Sequence, residues 1–517
     1  MNYRLIARLL GGIVLLLGAS MALSLVWAFP AFGQVDTVEW NGLQGLLGAM
    51  AVCAGVGGGL MWWGRSAAGQ RLFRKEALAV VGLSWLLATL LGAIPYWLSG
   101  TCRQRDSHGQ PVRMDLFDGL FESASGFSGT GASVLCDVED PQLVPRSVLF
   151  WRSQTHFLGG LGIVVLFVAI LGMGSVGKAL LTAEAASTTQ QSIHERAQHA
   201  AWAFAFIFIG LNALLTVLLM VQGVSLYHAL CHAFGTVATG GFSTFNNSIG
   251  HFQNATIEMT IALFMFLGCT NFTLLYFFLI GQGKKILQNT EFRVYVGILG
   301  AATLAVAVYS WKAGPYTNLL ESLRYSLFQV VSIMTNTGFG TADFDQWSGF
   351  AKGVLLFLMY VGGCMGSTSC SVKVVRYVLL AKSLWLQLEH VFRPNVVRQI
   401  RLNGEPVDSE EVHKVPLYFC LIVALSLAAW LILLAVEPDA TWTESGHNPR
   451  EKLADCASAV AATINGVGPG IGLVGVMTNY AALQAPSKLV LTLLMLLGRL
   501  EVFPLILLLL PRFWKPS

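Results

Sequence analysis

The chain has 517 residues, of which 55% are hydrophobic and only 12% charged, with a formal net charge of +4 and a mean hydropathy of +0.63. A soluble chain of this length divides into several domains with charged surfaces. This composition excludes that, and leaves little sequence for a soluble catalytic domain. The apolar residues gather instead in runs of the length, about 20 residues, that a helix needs to cross a hydrocarbon layer of roughly 30 Å.

In chain order, ten spans are expected, over 9–29, 44–63, 78–98, 147–171, 201–221, 256–280, 294–311, 350–389, 415–436 and 488–510. The first run continues without a small-residue cleavage site and reads as a span rather than a removed signal. Ten spans put both termini on one side. With that side inside, the inner segments hold 20 Lys and Arg against 9 Asp and Glu, and the outer segments 11 against 18. The positive-inside rule then places both termini in the cytoplasm, and the acidic outer face raises the local cation concentration. The nine cysteines show no metal-ligand spacing. Cys102 and Cys136 share an outer connection, where a disulfide and two free thiols both stay open.

Four outer connections share one pattern: a span, a short amphipathic stretch, a Gly/Thr-rich loop and a returning span. The stretches are 114–133, 227–244, 320–341 and 453–472. Each is too short to cross and too apolar for an ordinary outer loop, so each reads as re-entrant. The loops read Gly129-Thr130-Gly131-Ala132-Ser133, Ala238-Thr239-Gly240-Gly241-Phe242, Asn336-Thr337-Gly338-Phe339-Gly340 and Ile464-Asn465-Gly466-Val467-Gly468. Aligned on Thr/Asn-Gly, they define a fourfold internal repeat. The expected architecture is all-α and integral to the membrane, with four span–pore-loop–span repeats around a pseudo-fourfold axis. The divisions are 1–70 for an extra helix pair, then 71–190, 191–288, 289–405 and 406–517 for the repeats.

A dehydrated cation needs oxygens in place of its water shell, and rings of backbone carbonyls supply them without fixed charge. Glycine permits the angles that turn successive carbonyls inward. Thr130, Thr239 and Thr337 add hydroxyls, and Asn465 an amide. The alternative is four tight turns that cap helical hairpins.

These segments resemble the TrkH/TrkG/KtrB/HKT superfamily, and within it the TrkH family, over nearly the whole chain. The matching motifs are Phe150-Trp151-Arg152-Ser153 through His156-Phe157-Leu158-Gly159-Gly160-Leu161-Gly162, the second and third loops, Gly468-Pro469-Gly470-Ile471-Gly472 and Leu497-Gly498-Arg499-Leu500-Glu501. The extra N-terminal pair favours the TrkH type over KtrB. The resemblance implies potassium uptake across the bacterial inner membrane, with K⁺ held by a selectivity filter at Thr130, Gly131, Ala132, Thr239, Gly240, Gly241, Thr337, Gly338, Phe339, Asn465, Gly466 and Val467. Glycine in all four filters goes with K⁺ preference in that superfamily, and serine in the first with Na⁺ permeation. It also implies a homodimer, docked on a cytoplasmic nucleotide-binding ring of TrkA type. No organic cofactor, enzyme activity or nucleic-acid partner is expected of this chain. A Na⁺-permeable or Na⁺-coupled relative and, further off, a multi-span membrane enzyme or scaffold are the alternatives.

The stretch 350–392 would be about 65 Å long as one helix, twice the hydrocarbon thickness. Its middle, Gly362-Gly363-Cys364-Met365-Gly366-Ser367-Thr368-Ser369-Cys370-Ser371, can break a helix; a kinked helix with small packing residues is the other option. By resemblance, Gly362 to Ser369 form an intramembrane gate below the third loop, with Arg499 projecting toward the pore beside it. The superfamily usually has two glycines where this chain has Cys370 and Ser371. A charge inside a span marks a functional site; the alternative is a structural ion pair of Arg499 with Glu122 or another inward acid. Lys373 and Arg376 are expected near the cytoplasmic mouth, and Arg152 at the interface or as a filter support. His228 and His232, four apart, lack a third ligand and read as packing residues. Gly468–Gly472 follows no strand and is no dinucleotide fingerprint.

Overall fold

The computed structural model describes residues 1–32, 35–67, 73–106, 108–171, 190–395 and 398–515. The expected division at 70/71 lies outside them. The chain is mostly helical, with two small antiparallel ribbons, Cys102–Arg105 with Pro111–Arg113 and Arg401–Leu402 with Glu405–Pro406. Among the described residues, six helical runs are long and apolar enough to cross a membrane: Tyr3–Ala28, Trp40–Trp63, Lys75–Leu98, Ala201–Val221, Thr290–Ala313 and Ser409–Val436. A further helix, Arg146–Leu171, has 26 residues. The two N-terminal helices approach closely because Gly11, Gly18 and Gly57 leave room for backbone contact.

Three of the ten expected spans are broken. The expected span 256–280 is two helices, Ala255–Gly268 and Phe272–Leu279, bent by 105°. Asn271 makes the second start possible, because its side chain caps the Thr273 amide at 2.8 Å. The stretch 350–389 divides into Gly349–Met359 and Val374–Phe392, and 488–510 into Ala485–Arg499 and Phe503–Leu509. In the last, Glu501 and Val502 take left-handed φ angles of 54° and 69°, which end the first helix, and Pro504 opens the second. The break in 350–389 falls at the Gly362–Ser371 stretch that the sequence marks; the other two depend on caps and partners that hydropathy does not see.

The four stretches expected to be re-entrant each begin with a short helix: Leu116–Ser128, Leu226–Val237, Leu319–Met334 and Lys452–Ile464. Side-chain caps start two of them. Asp115 and Asp118 form a reciprocal capping box at the first, and Asn318 caps the third. Nearly the whole C-terminal half of each is buried. Three are seated by one device. A Cβ on Gly159 would clash with the Phe127 carbonyl, one on Gly268 would lie 2.8 Å from the Val237 oxygen, and one on Gly498 would clash with the Ile464 carbonyl. In the third stretch the matching helix has already stopped at Met359, and the chain runs on as a loop. Cys102 and Cys136 are free thiols, as are the other seven cysteines.

This packing makes a prediction. Gly498→Ala forces a methyl group against a rigid carbonyl and should cost about 1–3 kcal/mol, whereas Gly297→Ala, in open space, should be neutral. Thermal midpoints and size-exclusion yields in detergent check both; equal midpoints for the two variants would show that this helix contact carries no stability.

Candidate functional site

The loops that follow the short helices share one backbone path. Left-handed φ recurs at alternate residues: Gly129 and Gly131 (67° and 81°), Thr239 and Gly241 (54° and 79°), Asn336 and Gly338 (58° and 81°), Gly466 and Gly468 (66° and 94°). The residue between donates its amide five residues back, Thr130 to Ser125, Gly240 to Gly235, Thr337 to Ser332 and Val467 to Ala462, at 2.7–2.9 Å. Structural register therefore differs from the Thr/Asn-Gly alignment by one residue in the second loop and two in the fourth. Thr130 stands level with Gly240, Thr337 and Val467; Thr239 and Asn465 sit deeper. Only the last glycine, Gly131, Gly241, Gly338 or Gly468, is common to all four. Gly468 was not among the expected ion-binding residues, and glycine at that one level is the signal that would have found it.

The loops close on one another in cyclic order. A Cβ on Gly131 would run into the Gly240 carbonyl, one on Gly241 into the Thr337 carbonyl, one on Gly338 into the Val467 carbonyl, and one on Gly468 into the Thr130 carbonyl. Each loop is seated against the next, and the fourth returns to the first. On loops one and three, hydroxyl pairs stand behind the backbone, Ser128 with Thr130 at 2.7 Å and Thr335 with Thr337 at 2.8 Å.

Buried charge fixes this ring from outside. The Glu122 carboxylate, fully buried, accepts from the Ser133 hydroxyl and from the Val134 amide at 2.9 Å, and pairs with Arg152. Arg152 in turn donates to the Ser243 carbonyl at 3.1 Å and covers the Phe242 ring at 3.4 Å. The pair thus clamps loop one to loop two, so Arg152 is a support and Glu122 is not the partner of Arg499. His156 does similar work. Its Nδ1 lies 2.7 Å from the Gly126 carbonyl, so it carries the proton, and its Nε2 accepts from the Phe242 amide at 3.2 Å. His228 and His232 bond to Thr244, Ser243 and backbone; no group of three metal-binding side chains occurs among the described residues.

Below the ring lies the segment 362–371, closed at its base by a bridge between Val361 and Val372. It fills the break in the bent helix pair. Cys364 donates to Cys269 at 3.0 Å, Thr368 to Gly268 at 3.2 Å, and Gly366 accepts from Phe272 at 3.1 Å. Arg499, 3% exposed, joins it: Nη1 donates to the Thr368 carbonyl at 2.6 Å and lies 3.2 Å from the Cys370 sulfur, while Nη2 donates to Gly159 at 3.1 Å. Cys370 and Ser371 face the loops above, at the Ser128 carbonyl (3.4 Å) and the Asn465 side chain (2.9 Å). Lys373 is buried at the foot of the segment, bonded to Ser369, and Arg376 pairs with Glu501.

Long apolar helices packed around a closed ring of four loops define a multi-span membrane protein. The TrkH model of cation transport proteins matches residues 47–307 and 316–515. The Trk system potassium uptake protein TrkH of Salmonella typhimurium is 30% identical over 523 residues, with all of both chains covered. That of Escherichia coli K12 is 29% identical over 518 residues, again over both whole chains. The crystal structure of the potassium transporter TrkH from Vibrio parahaemolyticus superposes with a TM-score of 0.83 at 29% identity, over the whole of each chain. The chain belongs to the TrkH family.

Asp345 joins the segments that follow the third and fourth loops by accepting from the Gly472 amide at 3.1 Å. Burial raises its carboxyl from the usual 3.8 to about 6, against the pull of that amide and with the help of nearby Asp343. The folded state therefore holds this proton more tightly than the unfolded chain. Stability from the protonated form is complete below about pH 3.8 and lost as the pH rises through about 6. Asp345→Asn should raise the thermal midpoint at pH 7.5, with the gain shrinking toward pH 5; a gain that is flat with pH would contradict the assignment.

Proposed function

We propose that this chain carries potassium ions into the cell across the bacterial inner membrane, through a pseudo-fourfold pathway of ten spans with both termini cytoplasmic. The observation that carries the reading is the cyclic contact of four loops whose backbones share one alternating conformation. Alternation of left-handed and ordinary angles brings carbonyl oxygens to one side of the strand, and four strands around an axis give successive layers of oxygens for a dehydrated cation. The short helices point their C-termini at the ring, and the partial negative charge there favours a cation. The filter is read here as 129–131, 239–241, 336–338 and 466–468, with the flanking Ala132, Phe339 and Asn465 in support.

Segment 362–369 and Arg499 act as the gate. They lie on the inner side of the ring, bonded to each other, and a fixed positive charge in a low-dielectric cation path raises the barrier by direct repulsion. Homodimerisation and a cytoplasmic nucleotide-binding ring complete the assembly; the basic inner loops, including Lys284, Lys285 and the segment after Arg393, are the surface such a ring would meet.

Two experiments test this. Gly131→Ser introduces a side chain against the Gly240 carbonyl and should relax K⁺ over Na⁺ selection, read as a shift in reversal potential in mixed K⁺ and Na⁺. Unchanged selectivity at normal expression removes loop one from the filter. Arg499→Ala should raise ⁸⁶Rb⁺ uptake per folded protein in proteoliposomes several-fold, and make uptake less dependent on added ring protein. A variant that folds well and conducts no faster than the parent places the barrier elsewhere.

A further inference from the structure

We propose that Tyr480 sets the ion preference of the outermost layer of the ring by holding back the Gly468 carbonyl, so that three loops rather than four supply that layer. The inference rests on the reading of the ring as the ion path.

The glycines Gly131, Gly241, Gly338 and Gly468 occupy one level of the four loops, as their shared left-handed angles require. All four line one outer cavity of about 170 Å³. The carbonyls of Gly131, Gly241 and Gly338 accept no hydrogen bond from any described residue, but the Gly468 carbonyl accepts one from the Tyr480 hydroxyl at 2.7 Å. Tyr480 is firmly held. It is 2% exposed, its ring packs on Phe121 with centroids 5.3 Å apart, and its amide donates to the Ser133 carbonyl at 2.8 Å. It therefore bridges loop four to the strand that leaves loop one. Gly468 precedes Pro469, whose ring restricts the preceding residue, whereas the residues that follow the other three glycines are Ala132, Phe242 and Phe339.

A carbonyl that accepts a hydroxyl proton is oriented toward the donor and offers a cation less of its negative charge. Loop four thus contributes its glycine backbone to the ring but withholds its oxygen at this level. A three-sided layer opens on one flank to the outer cavity, where water completes the shell of the entering ion. Such a layer binds the ion less tightly than four carbonyls would, and lets it pass inward more readily.

Tyr480→Phe isolates the bond, because it keeps the ring and its packing on Phe121 and removes only the hydroxyl. The carbonyl, left without a donor, turns to the cavity and gains the ion as its partner. The half-saturating external K⁺ concentration for uptake in proteoliposomes should fall about threefold to tenfold, the range that one hydrogen bond spans, and the Na⁺ to K⁺ permeability ratio should shift with it. A fluorinated tyrosine at position 480, a stronger donor, should move half-saturation in the opposite direction, and this second variant decides the matter if Tyr480→Phe folds poorly. Variants that fold normally and leave both half-saturation and permeability ratio at the parent value overturn the inference. If Gly131→Ser shifts selectivity while the Tyr480 variants do not, this inference alone fails; if neither substitution has any effect, the reading of the ring as the ion path fails with it.

Discussion

A backbone carbonyl without a donor is costly at membrane depth, and most of the architecture exists to keep a set of such carbonyls in place. Irregular backbone survives there only inside protein or beside a water-filled path. In this chain the carbonyls of 129–131, 239–241, 336–338 and 466–468 accept from no donor among the described residues, Gly468 excepted, while most of the amides there are taken up by the ends of the short helices. The donors are spent on the helices, and most of the acceptors are left without a partner among the described residues. Glycine is required at the common level for two reasons at once: the φ angle is left-handed, and the next loop's carbonyl occupies the space of a side chain.

Everything around the ring can be read as support for that choice. Glycines 159, 268 and 498 let long helices press directly on the ends of the short ones. Two buried ion pairs join separate elements rather than neighbours on one helix. Arg152 and Glu122 tie the first loop to the second, and Lys488 reaches Asp118 at 2.6 Å from a helix 370 residues away in sequence. Removal of one partner from such a pair strands the other in low dielectric, which typically costs 3–5 kcal/mol. These contacts therefore fix geometry more than they add net stability.

Much of this was legible from residue types. Long apolar runs gave the class, and four short glycine-bearing stretches between them gave the existence and order of the loops. Gly362 to Ser371 stood out as a helix breaker, and Arg499 as a charge out of place; the structure sets them side by side. Register was the part that the sequence misdirected. Thr-Gly and Asn-Gly invite alignment as pairs, yet backbone angles, not side-chain identity, decide the level of each residue. The bend at Cys269 to Asn271 was also hidden, because a cap on Thr273 and the bonds from the segment 362–371 replace the missing helical partners. The Tyr480 hydroxyl and the His156 ring meet the loops through hydrogen bonds to backbone, and nothing in a sequence pattern announces such bonds.

Thr368 has a consequence for how firmly the inner segment is held. Its hydroxyl lies 2.9 Å from the Val237 carbonyl and also 2.9 Å from the Gly268 carbonyl, the ends of two different helices. A hydroxyl carries one proton, so it satisfies one of these oxygens fully or both poorly. The hydroxyl is shared: the side chain can swing its proton from one helix end to the other without leaving its seat, so a step of the segment away from the Val237 end forfeits about one hydrogen bond at most, on the order of 1 kcal/mol, whereas a step away from the Gly268 end also breaks the bond from the Thr368 amide to the Gly268 carbonyl at 3.2 Å. A single shared proton thus holds the segment loosely at the Val237 end, and its firmer attachment is to the Gly268 end, where backbone bonds add to it.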